Sequence, residues 1–356
     1  MSKKNKLNLE ERILRNSKTQ KKHNSLLMIF VTVIAIGLLV FFMLTTKTEE
    51  VNVFGKEDKG LHLTYLGNIT LNENIRQNDL KNMFSAVSGI IKESDYATAS
   101  LNVNNFAKDP KRNIDKNLKN INFLNHLGLS TINLTNNSVD LEQIKQITRQ
   151  ADAKHGYNFT TGNGSNPLNS KITKKTVHGK KVASVSFTDV SSKYMDPRKA
   201  TTSIALEPKI FMPLVQKLKK DNDVVIVNVD WGIPDEPNVT NRQKQYGRAL
   251  VDAGADVVVG HNTVVQKIEN YKGSSIFYSL GNVTSDKFLS ENKKGIAVQH
   301  TMNGDKNKFQ ITPIRTTGDQ VTKDNMNAIE KQKFFNRISS PSVNLKEANG
   351  GYTYEN

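Results

Sequence analysis

The sequence predicts a layered α/β domain with a mixed central sheet behind a single membrane-spanning helix, and three observations carry that expectation. An uncharged apolar run, LLMIFVTVIAIGLLVFFML, occupies Leu26 to Leu44. From Leu61 onward, apolar runs of strand length alternate with longer segments of helical period. The alternation gives way to a strand-rich end, the pattern of helices layered on a sheet of mixed direction.

The apolar run comes first. At a rise of ~1.5 Å per residue it reaches roughly 28 Å, close to the hydrocarbon thickness of about 30 Å. A cleaved leader would carry a shorter apolar core of about 7–15 residues and a small-x-small exit; here TTKTEE follows instead. Residues 25–45 are therefore expected to be an uncleaved signal anchor, in contact with the lipid bilayer through 26–44. Residues 1–24 hold eight basic and two acidic residues, net +6. The positive-inside rule makes them a cytoplasmic segment and places the chain after Thr45 outside the cell membrane. Residues 46–60 read as a polar linker, 61–315 as the extracellular domain, and 316–356, ending in GGYTYEN, as a loosely held tail.

Within the domain, strands are expected at Leu61–Leu66, Thr98–Val103, Ser130–Leu134, Val182–Phe187, Val224–Val229, Asp256–Val259, Ser275–Tyr278, Ile296–His300 and Phe309–Ile314. Helices are expected at Leu80–Lys92, Leu118–Leu127, Leu141–Ala153, Ile210–Lys219 and Arg242–Ala253, the last stopped by Gly254.

Composition narrows the chemistry. The 356 residues include no cysteine, which excludes disulfide scaffolds, thiolate metal sites and thiol catalysis. No phosphate-binding Gly-x-x-x-x-Gly-Lys-Ser/Thr loop, complete Gly-x-Gly-x-x-Gly or Gly-x-Ser-x-Gly elbow is present, and TGNGSN at Thr161–Asn166 reads as a surface turn. The formal charge is +16; beyond residue 24 the chain keeps 42 basic and 32 acidic residues. Pro167–Lys220 alone has twelve basic and three acidic residues. Outside the cell this favours an anionic polymer over nucleic acid as partner, with Lys174, Lys175, Lys180 and Lys181 as candidate contacts. A solvated basic surface is the plainer account of the same residues.

Informative residues cluster just after strands, where α/β folds place their sites. They are LGNIT at Leu66–Thr70, SLN at Ser100–Asn102, LTNNSVD at Leu134–Asp140, VDWGIPDEP at Val229–Pro237, DAGADVVVGHN at Asp252–Asn262 and IFYSLGN at Ile276–Asn282. In this order and spacing they resemble the CapA (PgsA) family of poly-γ-glutamate capsule proteins, over about Leu61–Arg315 and most specifically over Gln243–Asn282. The resemblance implies a calcineurin-like metallophosphatase architecture, an α/β/β/α sandwich with a metal-type cleft at the strand ends. It also implies a single-pass subunit that works with other membrane capsule-synthesis subunits and with poly-γ-glutamate.

A two-metal site needs carboxylates and imidazoles converging on paired ions. The family supplies Gly-Asp, Asn-Leu-Glu, Asn-Asn-His, His-Trp-Gly and Gly-His-His-Pro-His. At those places this chain has Gly67-Asn68, Ser100-Leu101-Asn102, Asn136-Asn137-Ser138, Asp230-Trp231-Gly232 and Gly260-His261-Asn262-Thr263-Val264. A neutral amide binds a divalent cation far less well than a carboxylate. Only Asn137, Asp230 and His261 remain as donors. The expectation is a cleft of Asn68, Asn102, Asn136, Asn137, Asp230, Trp231, Gly232, His261 and Asn262 with no catalytic residue, metal or cofactor, serving polymer contact or assembly. Two readings stay open beside it: a metal-dependent phosphoesterase or polymer-cleaving hydrolase with an unusual ligand set, and a purely structural subunit. Residue by residue, the plainer roles are a hydrogen-bonded His261, a turn-capping Asp230, a core Trp231 and a solvated Gln243 at a helix start.

Overall fold

Every residue of VVIVNVD at Val224–Asp230 is buried, as in a parallel strand covered on both faces, and the domain is layered around it. The structure is a computed structural model describing residues 8–45, 49–55, 60–71, 75, 77–103, 109–134, 143, 146–147, 150, 159–160, 172–189, 206–287 and 289–356. The chain divides into two units, Met1–Thr48 and Glu49–Asn356.

The first unit is helix α1, Leu9–Thr45. Among the described residues it is the one helix long and apolar enough to cross a membrane, and its apolar side chains from Leu26 to Leu38 are exposed.

In the second unit the strands are β1 (Leu61–Thr70), β2 (Tyr96–Asn102), β3 (Thr131–Asn133), β4 (Phe159–Thr160), β5 (Thr173–Val177), β6 (Lys180–Thr188), β7 (Val224–Asp230), β8 (Val257–His261), β9 (Ile268–Tyr271), β10 (Ser274–Phe277), β11 (Asn282–Thr284), β12 (Lys294–Asn303), β13 (Lys306–Thr317), β14 (Gln320–Lys323), β15 (Lys346–Ala348) and β16 (Gly351–Glu355). The helices are α2 (Gln77–Met83), α3 (Ser85–Lys92), α4 (Pro110–Leu127), α5 (Pro208–Asp221), α6 (Asn241–Asp252) and α7 (Ala328–Ile338). One sheet runs β15-β16-β13-β12-β1-β2-β3-β4, with β11 on β1 and β14 on β13; the other runs β5-β6-β7-β8-β10-β9. Parallel pairs (β1–β2, β2–β3 in the first; β6–β7, β7–β8 in the second) and antiparallel pairs (β1–β12, β12–β13 in the first; β5–β6, β9–β10 in the second) make both sheets mixed.

Three apolar clusters define the layers. Val87, Ile90, Ile121 and Leu124 of α3 and α4 pack on Ala97, Ala99 and Leu101 of β2. Leu63 and Tyr65 of β1 meet Ile226 of β7, Val259 of β8 and Phe277 of β10, so this cluster lies between the sheets. Phe211 and Val215 of α5 and Leu250 of α6 cover Val225, Val227 and Val258 on the far side of the second sheet. The order is the α/β/β/α sandwich expected.

Local chemistry explains the helix ends. Asp109 caps α4 by accepting from the Lys111 amide at 3.0 Å, Pro110 opens the helix, and Gly128 closes it at φ 113°. Helix α6 begins on a reciprocal capping box of Thr240 and Gln243.

Each of the nine expected strands is present. The single helix expected over Leu80–Lys92 is two, α2 and α3, separated at Phe84, whose ring is fully buried against Phe123 at 5.8 Å between centroids. Leu141–Ala153 lies largely outside the described residues. The linker expectation needs correction at 49–55: Val51 is buried, its amide donates to Ala86 O, and the Gln299 side-chain amide binds Asn52 O and Phe54 N.

The larger correction concerns 316–356, which is not a loose tail. It completes β13, adds β14 and β16 to that strand's edges, and packs Phe334, Ile338, Tyr352 and Tyr354 into the cluster between the sheets. Tyr354 stacks on Phe309 at 4.6 Å. The apolar residues there are too few per window to show a period, yet each has a partner on β13 or α7.

Candidate functional site

Parallel strands of both sheets end at one place. In the first sheet, register sets Asn68 beside Ser100 and Asn282, Ser100 beside Asn133, and Thr70 beside Asn102. In the second, Asp230 lies between Thr188 and His261. The rows join where the Asn68 side chain donates to Asn262 O at 3.0 Å and the Asn68 amide donates to Gly281 O at 2.9 Å. Asn68, Asp230, Trp231, Gly232, His261 and Asn262 thus gather at the strand ends where the cleft was expected, with Asn102 two residues beyond Ser100 on the next strand. Asn136 and Asn137 lie outside the described residues.

Most of these side chains serve the scaffold. Asn262 donates to Trp231 O and Ile233 O, both at 3.0 Å, and accepts from the Thr263 amide at 2.6 Å. It thereby holds the loop after β7. Trp231 is buried, donates from Nε1 to Tyr278 O at 2.8 Å and stacks on the Tyr278 ring. Gly232 has φ 85°, and a Cβ there would stand 2.8 Å from both Asn262 Nδ2 and Gln243 Nε2, so only glycine fits. Asn102 donates to Thr70 Oγ1 at 2.8 Å.

The polar inventory is unusual for a buried region. Asn68 Oδ1, Ser100 Oγ, Asn102 Oδ1, Ser186 Oγ and His261 Nδ1 are buried without a hydrogen-bond partner in the described structure. Such groups cost free energy when left unsatisfied. The Asp230 carboxyl is buried, and desolvation raises it from its ordinary value to about 7. His261 donates from Nε2–H to Asn228 Oδ1 at 3.2 Å, and burial lowers it to about 3, so the neutral ring is favoured.

These donors were weighed against the dinuclear centre that the fold would imply. One carboxyl and one imidazole face a set of neutral amides and hydroxyls, and no group of three or more His, Asp or Glu among the described residues is placed to hold an ion. A pair of divalent cations needs several anionic oxygens; the described residues do not fit one.

Three further residues belong to this end of the fold. Gln243 is buried, not solvated, because its Nε2 donates to Gln266 Oε1 at 2.8 Å. Gln266 Nε2 in turn donates to Glu236 O and Asn238 O. Gln266 follows two valines with no polar pattern, so nothing local marks it. Asn282, the last residue of the IFYSLGN motif, donates to Thr263 O and Asn292 O.

The four candidate lysines stand elsewhere. Lys174 and Lys175 on β5 and Lys180 and Lys181 on β6 form a hairpin at the end where β6 and β7 begin. With Thr176, Lys220, Asp221 and Asn222, three of them line a cavity of ≈ 550 Å³. Lys180 pairs with Asp223 at 3.6 Å, and Lys175 donates to Asp95 O at 2.8 Å.

The family model described as "Bacterial capsule synthesis protein PGA_cap" matches residues 62–287. The chain is 29% identical to the "PGA biosynthesis protein CapA" of Bacillus subtilis (strain 168), covering 99% of this chain and 97% of that protein. It is also 29% identical to the "Capsule biosynthesis protein CapA" of Bacillus anthracis, over 83% of this chain and 77% of that one. Among solved structures, a 5'-nucleotidase from Candida albicans overlaps 86% of this chain and 58% of its own, at 10% identity and a TM-score of 0.48; nothing about activity follows from that overlap.

Proposed function

Because the chain belongs to the PGA_cap family of bacterial capsule synthesis proteins, we propose that it is a membrane-anchored component of poly-γ-glutamate capsule synthesis or export, acting by polymer contact or subunit assembly and not by metal hydrolysis. In this reading α1 crosses the bilayer with the basic N-terminus in the cytoplasm, and Glu49–Asn356 works outside, next to other membrane subunits of the capsule machinery. The basic excess of that outer part suits a polymer that carries one negative charge per residue.

One observation carries the mechanistic half. The cleft's side chains are committed to the scaffold: Asn262 ties down the loop after β7, Asn68 joins the two sheets, and Trp231 is core. The described residues there offer one carboxyl, Asp230, and one imidazole, His261, among neutral amides and hydroxyls. A two-metal hydrolytic centre needs several anionic oxygens held open to substrate and water.

Metal analysis of the full chain, purified in detergent after exposure to manganese and dialysis, is the test. The expected outcome is no stoichiometric divalent ion, with capsule production retained in cells carrying Asp230→Asn. One or two tightly held ions per chain, together with phosphodiester hydrolysis abolished by His261→Ala, would overturn this reading in favour of an enzyme.

A further inference from the structure

A second basic cavity lies at the cleft end of the second sheet. It has a volume of ≈ 530 Å³ and is lined by Pro237, Asn238, Val239, Lys244, Lys267, Lys333, Asn336 and Arg337, with no acidic residue in the lining. We propose that this groove, formed by Lys244, Lys267, Lys333 and Arg337, is a carboxylate-binding subsite that seats the anionic polymer alongside the cleft. The proposal deepens the capsule reading and rests on it for the identity of the polymer.

Three features support it. First, the cations come from separate elements, Lys244 from α6, Lys267 from the segment before β9, and Lys333 and Arg337 from α7. Lys333 and Arg337, four apart, share a helix face, while Phe334 and Ile338 fill the core. Bringing three chain segments of one charge together costs repulsion unless an anion offsets it.

Second, the ammonium groups are free. Among the described residues, the side-chain ammonium groups of Lys244, Lys267 and Lys333 have no ion-pair or hydrogen-bond partner, and of the four cations only Arg337 is paired, with Glu291. Asn336 accepts from Gln332 at 2.9 Å through Oδ1, which leaves its amide N–H groups as further donors to a carboxylate.

Third, the groove is fixed to the cleft. The buried Gln243–Gln266 bond immobilises the backbone next to Lys244 and Lys267, and Gln266 holds Glu236 O and Asn238 O of the loop after β7. The same loop is bound on its other side by Asn262. A chain of carboxylates lying in the groove would pass the cleft mouth. The hairpin lysines sit at the opposite end of the seven-residue β7, roughly 20 Å away at ~3.3 Å per residue.

The test measures binding of poly-γ-glutamate of defined length to the full chain in lipid nanodiscs, with monomeric glutamate and polyphosphate as comparison probes. Two variants are needed: the groove triple Lys244→Gln/Lys267→Gln/Lys333→Gln and the hairpin quadruple Lys174→Gln/Lys175→Gln/Lys180→Gln/Lys181→Gln. The groove triple should weaken polymer binding by about tenfold at low salt and flatten its salt dependence, with monomeric glutamate competing poorly. The hairpin quadruple should change binding by no more than about threefold.

If the groove triple binds like the unmodified chain while the hairpin quadruple does not, the groove proposal fails and the capsule reading stands. If polyphosphate binds the groove as tightly as the polymer does, the site is a general anion site and the assignment to carboxylates fails. If the unmodified chain ignores the polymer, both polymer readings fail together.

Discussion

Where its parallel strands begin, the six-stranded sheet carries four lysines on the β5–β6 hairpin; where they finish, three lysines and an arginine line a groove. The two regions have the same sign and similar charge but different surroundings. At the hairpin end, Asp223 pairs with Lys180 and accepts from the Lys181 amide, Asp221 lines the cavity, and Asp256 binds Lys219 bidentately. At the groove end the lining has no acid. A cation beside a carboxylate contributes little net field, so the location of the acids, not the count of lysines, separates the two.

The ends also differ in how they are held. The hairpin is exposed and closed by a turn at His178 and Gly179, both with positive φ. The cleft end is buried and tied through Trp231, Asn262, Gln243 and Gln266. The comparison can be broken first at Trp231. Trp231→Ala removes a buried ring and its bond to Tyr278 O and should cost roughly 3–5 kcal/mol, a fall in Tm on the order of 10 °C by calorimetry. Hydrogen exchange should show lost protection over 232–240 with β5–β6 unchanged. Equal loss at both ends would mean the cleft end is not a separate unit.

A second contrast is pH. Burial raises Asp230 to about 7, so the fold favours its neutral form, and the associated stability is present below the ordinary carboxylate range and lost as pH rises toward 7. Burial lowers His261 to about 3, so its contribution is present above the ordinary imidazole range and lost as pH falls toward 3. These neighbours on β7 and β8 therefore oppose each other between about pH 4 and 6.5. Asp230→Asn should leave a protein that loses stability on acidification. His261→Gln should leave one that loses stability on neutralisation, each by roughly 1–4 kcal/mol across that window. Thermal melts from pH 4 to 7 decide it; parallel slopes in both variants would refute the opposition.

Gln243 sharpens the link between cleft and groove. Gln243→Ala removes the capping box and the bond to Gln266, an expected cost of about 1–2 kcal/mol. Polymer affinity should fall several-fold although no charge is lost. Unchanged affinity in titration calorimetry would separate loop position from binding.

The smallest effect is expected at the hairpin. Removing the Lys180–Asp223 pair by Lys180→Gln should leave the denaturation midpoint unchanged, because both partners are exposed and screened by solvent. A shift in the denaturation midpoint would show that this end is more than a solvated surface.

Much of the fold was legible because the signal is local. A run such as VVIVNV has only one comfortable setting, between two covered faces, and Gly128 marks the end of α4 whatever lies nearby, although the Asp109-Pro110 start was missed in favour of Leu118 because the polar first turns of that helix show no apolar period. The family motifs were legible for a similar reason, since each follows its strand directly. The segment 316–356 was not: Phe334, Tyr352 and Tyr354 are spaced too irregularly for a period, and only β13 and the space between the sheets give them a place.

The sequence by itself determined the apolar span, the nine strands read between Leu61 and Ile314, the loss of ligand-type side chains at the strand ends, and the basic excess. Each depends on residue type and near neighbours alone. Tertiary structure decided that Asn68 and Asn262 meet, that Gln243 is buried, and that α7 brings Lys333 and Arg337 to Lys244 and Lys267. Those pairings join residues far apart along the chain, and the geometry of two packed sheets, not any periodicity, chooses them.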